Sequence, residues 1–373
     1  MNAPVISFSR RLRVSPFELR SLEGSKSASV YNHLVLPTCY ESLEADYWHL
    51  REHVQLWDVA CQVQVEVQGP DAADFIEYLT PRDVSRCQVG QCIYTPLIDE
   101  AGGIINDPLI LRLADDRFWI SLSDSDVLLW AKGLALGKGF DVRVFDPDVF
   151  PLSIQGPKSA DLLSRVLGDT IRELKFFRFI ETEIAGTSVV VARTGWSGQG
   201  GYEIYLQEPD AGVTLWDTLA AAGEDLEVRP GCPNLIERIE SGLLSFGNDM
   251  TLANNPLEAG LDRFFKLGKS ADYLGRAALE AIAEAGVTQR LVKVVIAGEP
   301  IANPRTVYAI QDAAGEDIGT VTSAVYSPNL GKNIGFGYLP ADGCEEGRRG
   351  TVLTPEGARE LRVANDDWSS SLE

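Results

Sequence analysis

The sequence predicts an α+β protein built on antiparallel sheets: two related mixed units, then a separate all-β module. Three observations carry this. A strand, a Gly-Pro step and a helix follow one another at "VEVQGPDAADFIEYL" and again at "LSIQGPKSADLLSRVL", which marks a duplicated unit of about 85 residues. Helices do not alternate one-for-one with strands, so a doubly wound parallel sheet is disfavoured. After Arg290 the chain becomes a series of short strands separated by Gly, Pro and Asp turns.

Taken in order, "ESLEADYWHLREHVQLWDV" (Glu41 to Val59) spaces its apolar residues helically and carries early carboxylates, as a helix N-terminus prefers. "QVQVEVQG" alternates strictly and reads as a half-buried strand. The helix after it opens at Pro70 and stops before Pro81. Cys92 to Ser123 reads as three strands, turned at Glu100–Gly103 and at Asp115-Asp116. "DVLLWAKGLALG" is a helix ended by Gly137 or Gly139, and "DVRVFDPDVFPLSIQGP" supplies two more strands before the helix "KSADLLSRVL". "CPNLIERIESGLLSFGND" reads as a helix running to a stop at Gly247. "LVKVVIAG", "TVYAIQD", "DIGTVTSAVYS", "NIGFGYL" and "GTVLTP" are the strands of the last module.

Composition narrows the function. With 45% hydrophobic and 23% charged residues the chain is ordinary globular material. It has no run of 18 or more apolar residues, so no membrane span is expected, and its basic N-terminus lacks the apolar run of a secretory signal. A net charge of −21 repels a phosphate backbone, which argues against nucleic acid as a partner. Six cysteines without a CxxC pair read as free thiols of a cytoplasmic protein. His49 and His53 stand four apart but lack a third ligand, so no metal is expected. A homodimer is allowed.

The stretch "ARTGWSGQGGYEIYL" (Ala192 to Leu206) concentrates the chemistry. A phosphate-cradling glycine loop must enter a helix N-terminus, whose amides do the binding. Here "TSVVVAR" and "GYEIYLQ" are both strand-like, so the glycines serve a hairpin that carries Trp196 near its tip and Glu203 inside its second strand. Glu203 between Tyr202 and Ile204 is either exposed on an alternating strand or buried, and if buried it must accept hydrogen bonds.

Six segments in order then carry a resemblance. "RTGWSGQGGYEI" is similar to the "RTGYTGEDGFEI" signature of the folate-dependent aminomethyltransferase (glycine-cleavage T-protein) family. "DEAGGIINDPLI" resembles its "GGIIDDL" segment and "ERIESGLLSFGNDM" its "LRLEAGMCLYGNDI". "NPLEAGLDRFFKL", "YLGRAAL" and "GTVTSAVYSPNLGKNIGFGYL" match further signatures, so the likeness runs from about Tyr31 to Leu339. It implies a three-domain, clover-like fold around a central folate site, with two α+β domains and a C-terminal all-β, barrel-like domain. The corresponding segments are residues 1–57 with 146–244, 58–145 with 245–285, and 286–373.

The same resemblance implies tetrahydrofolate as one-carbon acceptor, its pterin gripped by Glu203, since an N–C–N edge donates two parallel hydrogen bonds that a carboxylate accepts. Trp196, Phe176, Phe177 and Tyr94 would line the site, and Asp107 falls on the family's catalytic carboxylate. Asn106 replaces the first acid of that pair and Pro108 follows it. With "RRLRVSPF", "SVYNHLVLPT", "ISLSDSDVLL" and "RPGCPNLIERIES", this "NDP" resembles the branch that demethylates dimethylsulfoniopropionate. In the glycine-cleavage branch the helix start reads "ARDSLRLEAG", and its arginine is Asn234 here. The branch implies a sulfonium held by aromatic faces, for which Trp196, Tyr205 and Tyr31 are candidates, and a substrate carboxylate met by Arg193, Ser123 or backbone. Aminomethyl transfer, demethylation of another methyl donor and non-catalytic folate binding remain as alternatives.

Overall fold

The computed structural model describes residues 8–368, which divide into two compact units. One comprises residues up to Val65, Gly90–Cys92 and Phe145–Asn234. It is built on a six-stranded sheet in the order Phe179–Ile184, Thr187–Ala192, Gly201–Leu206, Phe150–Gln155, Val54–Asp58 and Val228–Gly231. All pairs are antiparallel except the last, which is parallel. Residues 201–206 alternate as a strand must. Tyr202, Ile204 and Leu206 enter the apolar core with Leu152, Ile154, Leu162 and Leu163 of the second Gly-Pro unit. Glu203 and Tyr205 therefore lie on the opposite face, in register with Ser153 and Pro151.

The other unit comprises Glu66–Val89, Ile93–Val144 and Leu235 onward. It holds a five-stranded sheet in the order Arg143–Phe145, Gln64–Gln68, Arg117–Ser121, Leu109–Ala114 and Gln91–Tyr94. A two-stranded ribbon, Leu97–Ile98 with Ile104–Asn106, lies between its strands in the chain. A closed barrel completes it, formed by Gln289–Ile296, Lys332–Pro340, Asp317–Ser327, Tyr308–Gln311, Arg349–Thr354 and Gly357–Val363. The last strand was not among the five expected for this module. It pairs with both Gln289–Ile296 and Arg349–Thr354 and so removes the open edge.

Three local expectations are corrected. Cys92–Ser123 holds five short strands, not three, because Pro96 and Pro108 have no N–H to donate and interrupt the ladder. The helix expected over 41–59 covers only Leu43–Glu52, capped by the Ser42 hydroxyl, which accepts the Ala45 N–H at 3.0 Å. Val54–Asp58 is instead a strand buried along its whole length, where pairing on both sides outweighs helical spacing. The helix after Cys232 covers only Leu235–Glu240. Gly242 takes φ 72°, and the Leu243 N–H closes back onto the Arg238 carbonyl at 2.8 Å, satisfying the helix end.

Both Gly-Pro units form as read, as Gln64–Gln68 with Ala72–Leu79 and Phe150–Gln155 with Ser159–Leu167. Of the two proposed stops for the helix from Val127, Gly139 is the one used, in the left-handed region. Among the described residues no helix is long and apolar enough to cross a membrane, and none of the six cysteines is joined in a disulfide.

Candidate active site

Asp107 follows directly on the strand Ile104–Asn106, where Pro108 ends the pairing. Across from it the strand Gln91–Tyr94 stops, and the Thr95 N–H bonds the Pro108 carbonyl at 3.1 Å. That register brings the Tyr94 hydroxyl to Asp107, donating to Oδ2 at 2.9 Å. Ser123, just past the strand Arg117–Ser121, donates its hydroxyl to Oδ1 at 2.6 Å. Three residues named from the sequence, Asp107, Tyr94 and Ser123, thus form one cluster.

Asp107 is only 9% exposed, and burial raises its carboxyl to about 6. The Ser123 and Tyr94 hydrogen bonds pull the other way, while the charge of Asp249 adds to the rise. The Tyr94 phenol is pushed well above its ordinary value, first by burial and then by Asp107. Its ring meets Phe264 edge-on at 4.7 Å, and the Arg263 guanidinium stacks on Phe264 at 4.8 Å. A carboxylate so placed is an anion at neutral pH, yet close enough to its titration point to take a proton.

Glu203 is 5% exposed, so the buried reading of this strand holds. It obtains its hydrogen bonds from its own hairpin. Ala192 pairs with Glu203 across the sheet, which puts Thr194 just beyond the ladder, its hydroxyl donating to Oε2 at 2.5 Å. Tyr205, two residues on and on the same face, donates to the same oxygen at a long 3.3 Å. Burial raises the carboxyl and these two donors lower it again. Both bonds land on Oε2, one of the two acceptor oxygens of the carboxylate.

The glycine loop is shaped by a residue the sequence reading passed over. Gln155, fully buried, accepts the Ser197 hydroxyl at 2.6 Å and donates to Ser153 at 2.8 Å. A Cβ on Gly195 would lie 2.3 Å from its Oε1, and one on Gly201 2.4 Å from its Nε2. These glycines serve close approach to an amide, not phosphate binding.

The other named residues sort by what they touch. Trp196 is half-buried in the glycine loop. The rings of Phe176 and Phe177 lie 4.3 Å apart, Phe176 being 62% exposed while Phe177 is half-buried with φ 59°. The Phe177 N–H bonds the Arg193 carbonyl at 3.0 Å, and the Arg193 guanidinium donates to the Leu174 carbonyl at 2.8 Å. Tyr31 is half-buried against the apolar core. Tyr205 is fully buried and braces Glu203. Arg193 and Ser123, both named for a substrate carboxylate, already donate inside the protein. Among the described residues no group of three or more His, Cys, Asp or Glu side chains is placed to hold a metal ion.

Thr194 and Gln155 were legible in principle. Thr194 is the second residue of the glycine signature, and Gln155 is the residue before the repeated Gly-Pro step. What hid them is that a hydroxyl or an amide says nothing of its partner until the register is known.

Two family models match the chain. The GCVT N-terminal domain covers residues 19–269, and the glycine cleavage T-protein C-terminal barrel domain covers 289–366. The chain is 45% identical over 366 residues to a dimethylsulfoniopropionate demethylase of Ruegeria pomeroyi, a match spanning 96% of this chain and 98% of that one. It is 33% identical over 324 residues to an aminomethyltransferase of Halothermothrix orenii, covering 85% and 89% of the two chains. The crystal structure of glycine cleavage system aminomethyltransferase T from Bartonella henselae superposes with a TM-score of 0.86 over 96% of this chain and 98% of that one. At 24% identity, that likeness is one of fold.

Proposed function

The chain belongs to the glycine cleavage T-protein family, and on that premise we propose that it demethylates dimethylsulfoniopropionate with tetrahydrofolate as methyl acceptor. The products are 5-methyltetrahydrofolate, 3-(methylthio)propionate and the proton that N5 gives up once methylated. The observation that carries this reading is the 45% identity to a dimethylsulfoniopropionate demethylase along nearly the whole of both chains, against 33% to an aminomethyltransferase. One feature of the sequence speaks the same way. Position 234, an arginine in the aminomethyl branch, is an asparagine here, buried and donating its amide to the Leu43 carbonyl at 2.9 Å.

The residues suit the acceptor. A buried Glu203, with Oε2 held by Thr194 and Tyr205, offers the N–H edge of a pterin a carboxyl acceptor braced by its own hairpin. Tetrahydrofolate supplies the N5 lone pair to which the methyl passes. A sulfonium gives up a methyl readily because a neutral thioether departs, so the protein's work is placement and water exclusion. Approximation of this kind accounts for about 7–11 kcal/mol of a barrier. Asp107, anionic above about pH 6, stabilises the positive charge that leaves sulfur and develops on the acceptor amine. Trp196 offers its ring to the sulfonium, an attraction of about 2 kcal/mol when desolvated. Holding the cation by an aromatic face and not a tight ion pair avoids overstabilising a charge the transition state is losing.

The test is direct. Purified protein, tetrahydrofolate and dimethylsulfoniopropionate should yield methylated folate and 3-(methylthio)propionate in equal amounts. Inertness toward the sulfonium, with turnover of an aminomethylated lipoyl carrier instead, would establish the aminomethyl alternative.

A further inference from the structure

Asn106 stands one residue before Asp107, is fully buried, and uses its amide at both ends. Its Oδ1 accepts the Ser123 N–H at 3.1 Å, and its Nδ2 donates to the Ser123 carbonyl at 3.1 Å and to the Ser125 hydroxyl at 2.8 Å. The Ser125 hydroxyl returns to the Ile105 carbonyl at 3.1 Å. The turn after the strand Arg117–Ser121 is thereby clamped to the Ile104–Asn106 strand through both backbone groups of one serine. That serine is the residue whose hydroxyl lies 2.6 Å from Asp107.

The clamp needs an amide. A carboxylate has no proton to give the Ser123 carbonyl, and an aliphatic side chain has neither donor nor acceptor. We infer that Asn106 is a positioning residue for methyl transfer: acting through Ser123, it orients the Asp107 carboxylate and keeps a hydrogen-bond donor on Oδ1. This inference rests on the proposed role of Asp107 in the reaction.

Among the described residues, the groups bearing on Asp107 are few. Tyr94 donates from the neighbouring strand and Ser123 from the clamped turn. Asp249, paired with Arg238 at 2.7 Å, contributes a like charge, and the charge of Arg263 reaches Tyr94. Burial drives the carboxyl up, and Ser123 is the foremost group opposing that rise. Loss of the Ser123 bond should therefore favour the protonated acid and raise its titration point.

The experiment is the pH profile of kcat/KM for dimethylsulfoniopropionate, whose acidic limb reports the free enzyme's essential base. Ser123→Ala should move that limb up by about one pH unit, a fall of about fivefold at pH 6 with less than about twofold at pH 8. Asn106→Leu should move it the same way, and the double variant no further than Ser123→Ala alone. Asn106→Asp cannot donate and also sets a like charge beside Asp107, so its limb should rise further than that of Asn106→Leu. A normal limb in Asn106→Leu and Asn106→Asp, with only a lower Tm, would overturn the positioning role and leave Asn106 a structural residue. Should Asp107→Asn itself keep the wild-type limb, the role of Asp107 fails first, and this inference with it.

Discussion

The molecule buries two carboxylates, Glu203 and Asp107, and supports them by opposite means. Glu203 lies inside a strand, and its donors are neighbours in the same hairpin: Thr194 beyond the cross-strand partner and Tyr205 two residues along. Asp107 lies just beyond a strand, and its donors come from separate segments, Tyr94 before it and Ser123 after it, the latter set by Asn106. A locally built carboxylate is suited to grip, since its geometry comes with the hairpin. One assembled from three segments can be tuned, because each segment sets a different hydrogen bond. On the proposed function, binding should follow Glu203 and turnover Asp107.

The largest expected effect breaks that division most directly. Asp107→Asn should lower kcat by about 10²–10⁴-fold while the tetrahydrofolate Kd stays within about threefold. Single-turnover kinetics alongside equilibrium binding would show it, and a parallel loss of both would merge the two roles. Next, Glu203→Gln should weaken tetrahydrofolate by about 10–100-fold, the worth of charge-assisted hydrogen bonds, with kcat at saturation within a few-fold.

Stability sharpens the contrast further. The folded Asp107 carboxyl titrates at about 6, above the unfolded value of about 3.9, so the folded state holds this proton more tightly. Its contribution is fully present below about pH 4 and is lost as pH rises through about 6. Asp107→Asn lacks this loss and should be more stable than the parent well above pH 6 by about 2–3 kcal/mol, an advantage that vanishes near pH 4. Thermal melts across that range would test the sign; a destabilised variant at pH 7.5 would mean that the carboxylate's hydrogen bonds outweigh its burial. The smallest effect belongs to Thr194→Ala. It removes one donor from Oε2 and should weaken tetrahydrofolate by about fivefold, less than Glu203→Gln. An equal loss in both would make Thr194 itself part of the grip.

Much of this was readable residue by residue. The glycines between two strand-like runs identified a hairpin, and the family signatures pointed to Asp107 and Glu203. Tyr94 and Ser123 were named for the site, Ser123 as one of three candidates for a substrate carboxylate, and its hydroxyl donates to Asp107. Errors gathered where local pattern and long-range pairing disagree. Val54–Asp58 has helical spacing yet is a central strand, and Cys92–Ser123 is divided by two prolines into more strands than its apolar runs suggest.

The sequence by itself settled the period-two alternation that puts Glu203 opposite Tyr202 and Ile204, the glycines of the hairpin loop, and the amide at position 106. These are properties of one residue or its immediate neighbours. Only the tertiary structure decided that Oε2 of Glu203 takes both hydroxyls, that Ser123 reaches Asp107, and that Asn106 holds it there. A hydrogen bond between side chains far apart in the chain depends on strand register and on water being excluded, and both arise only when the separate segments pack.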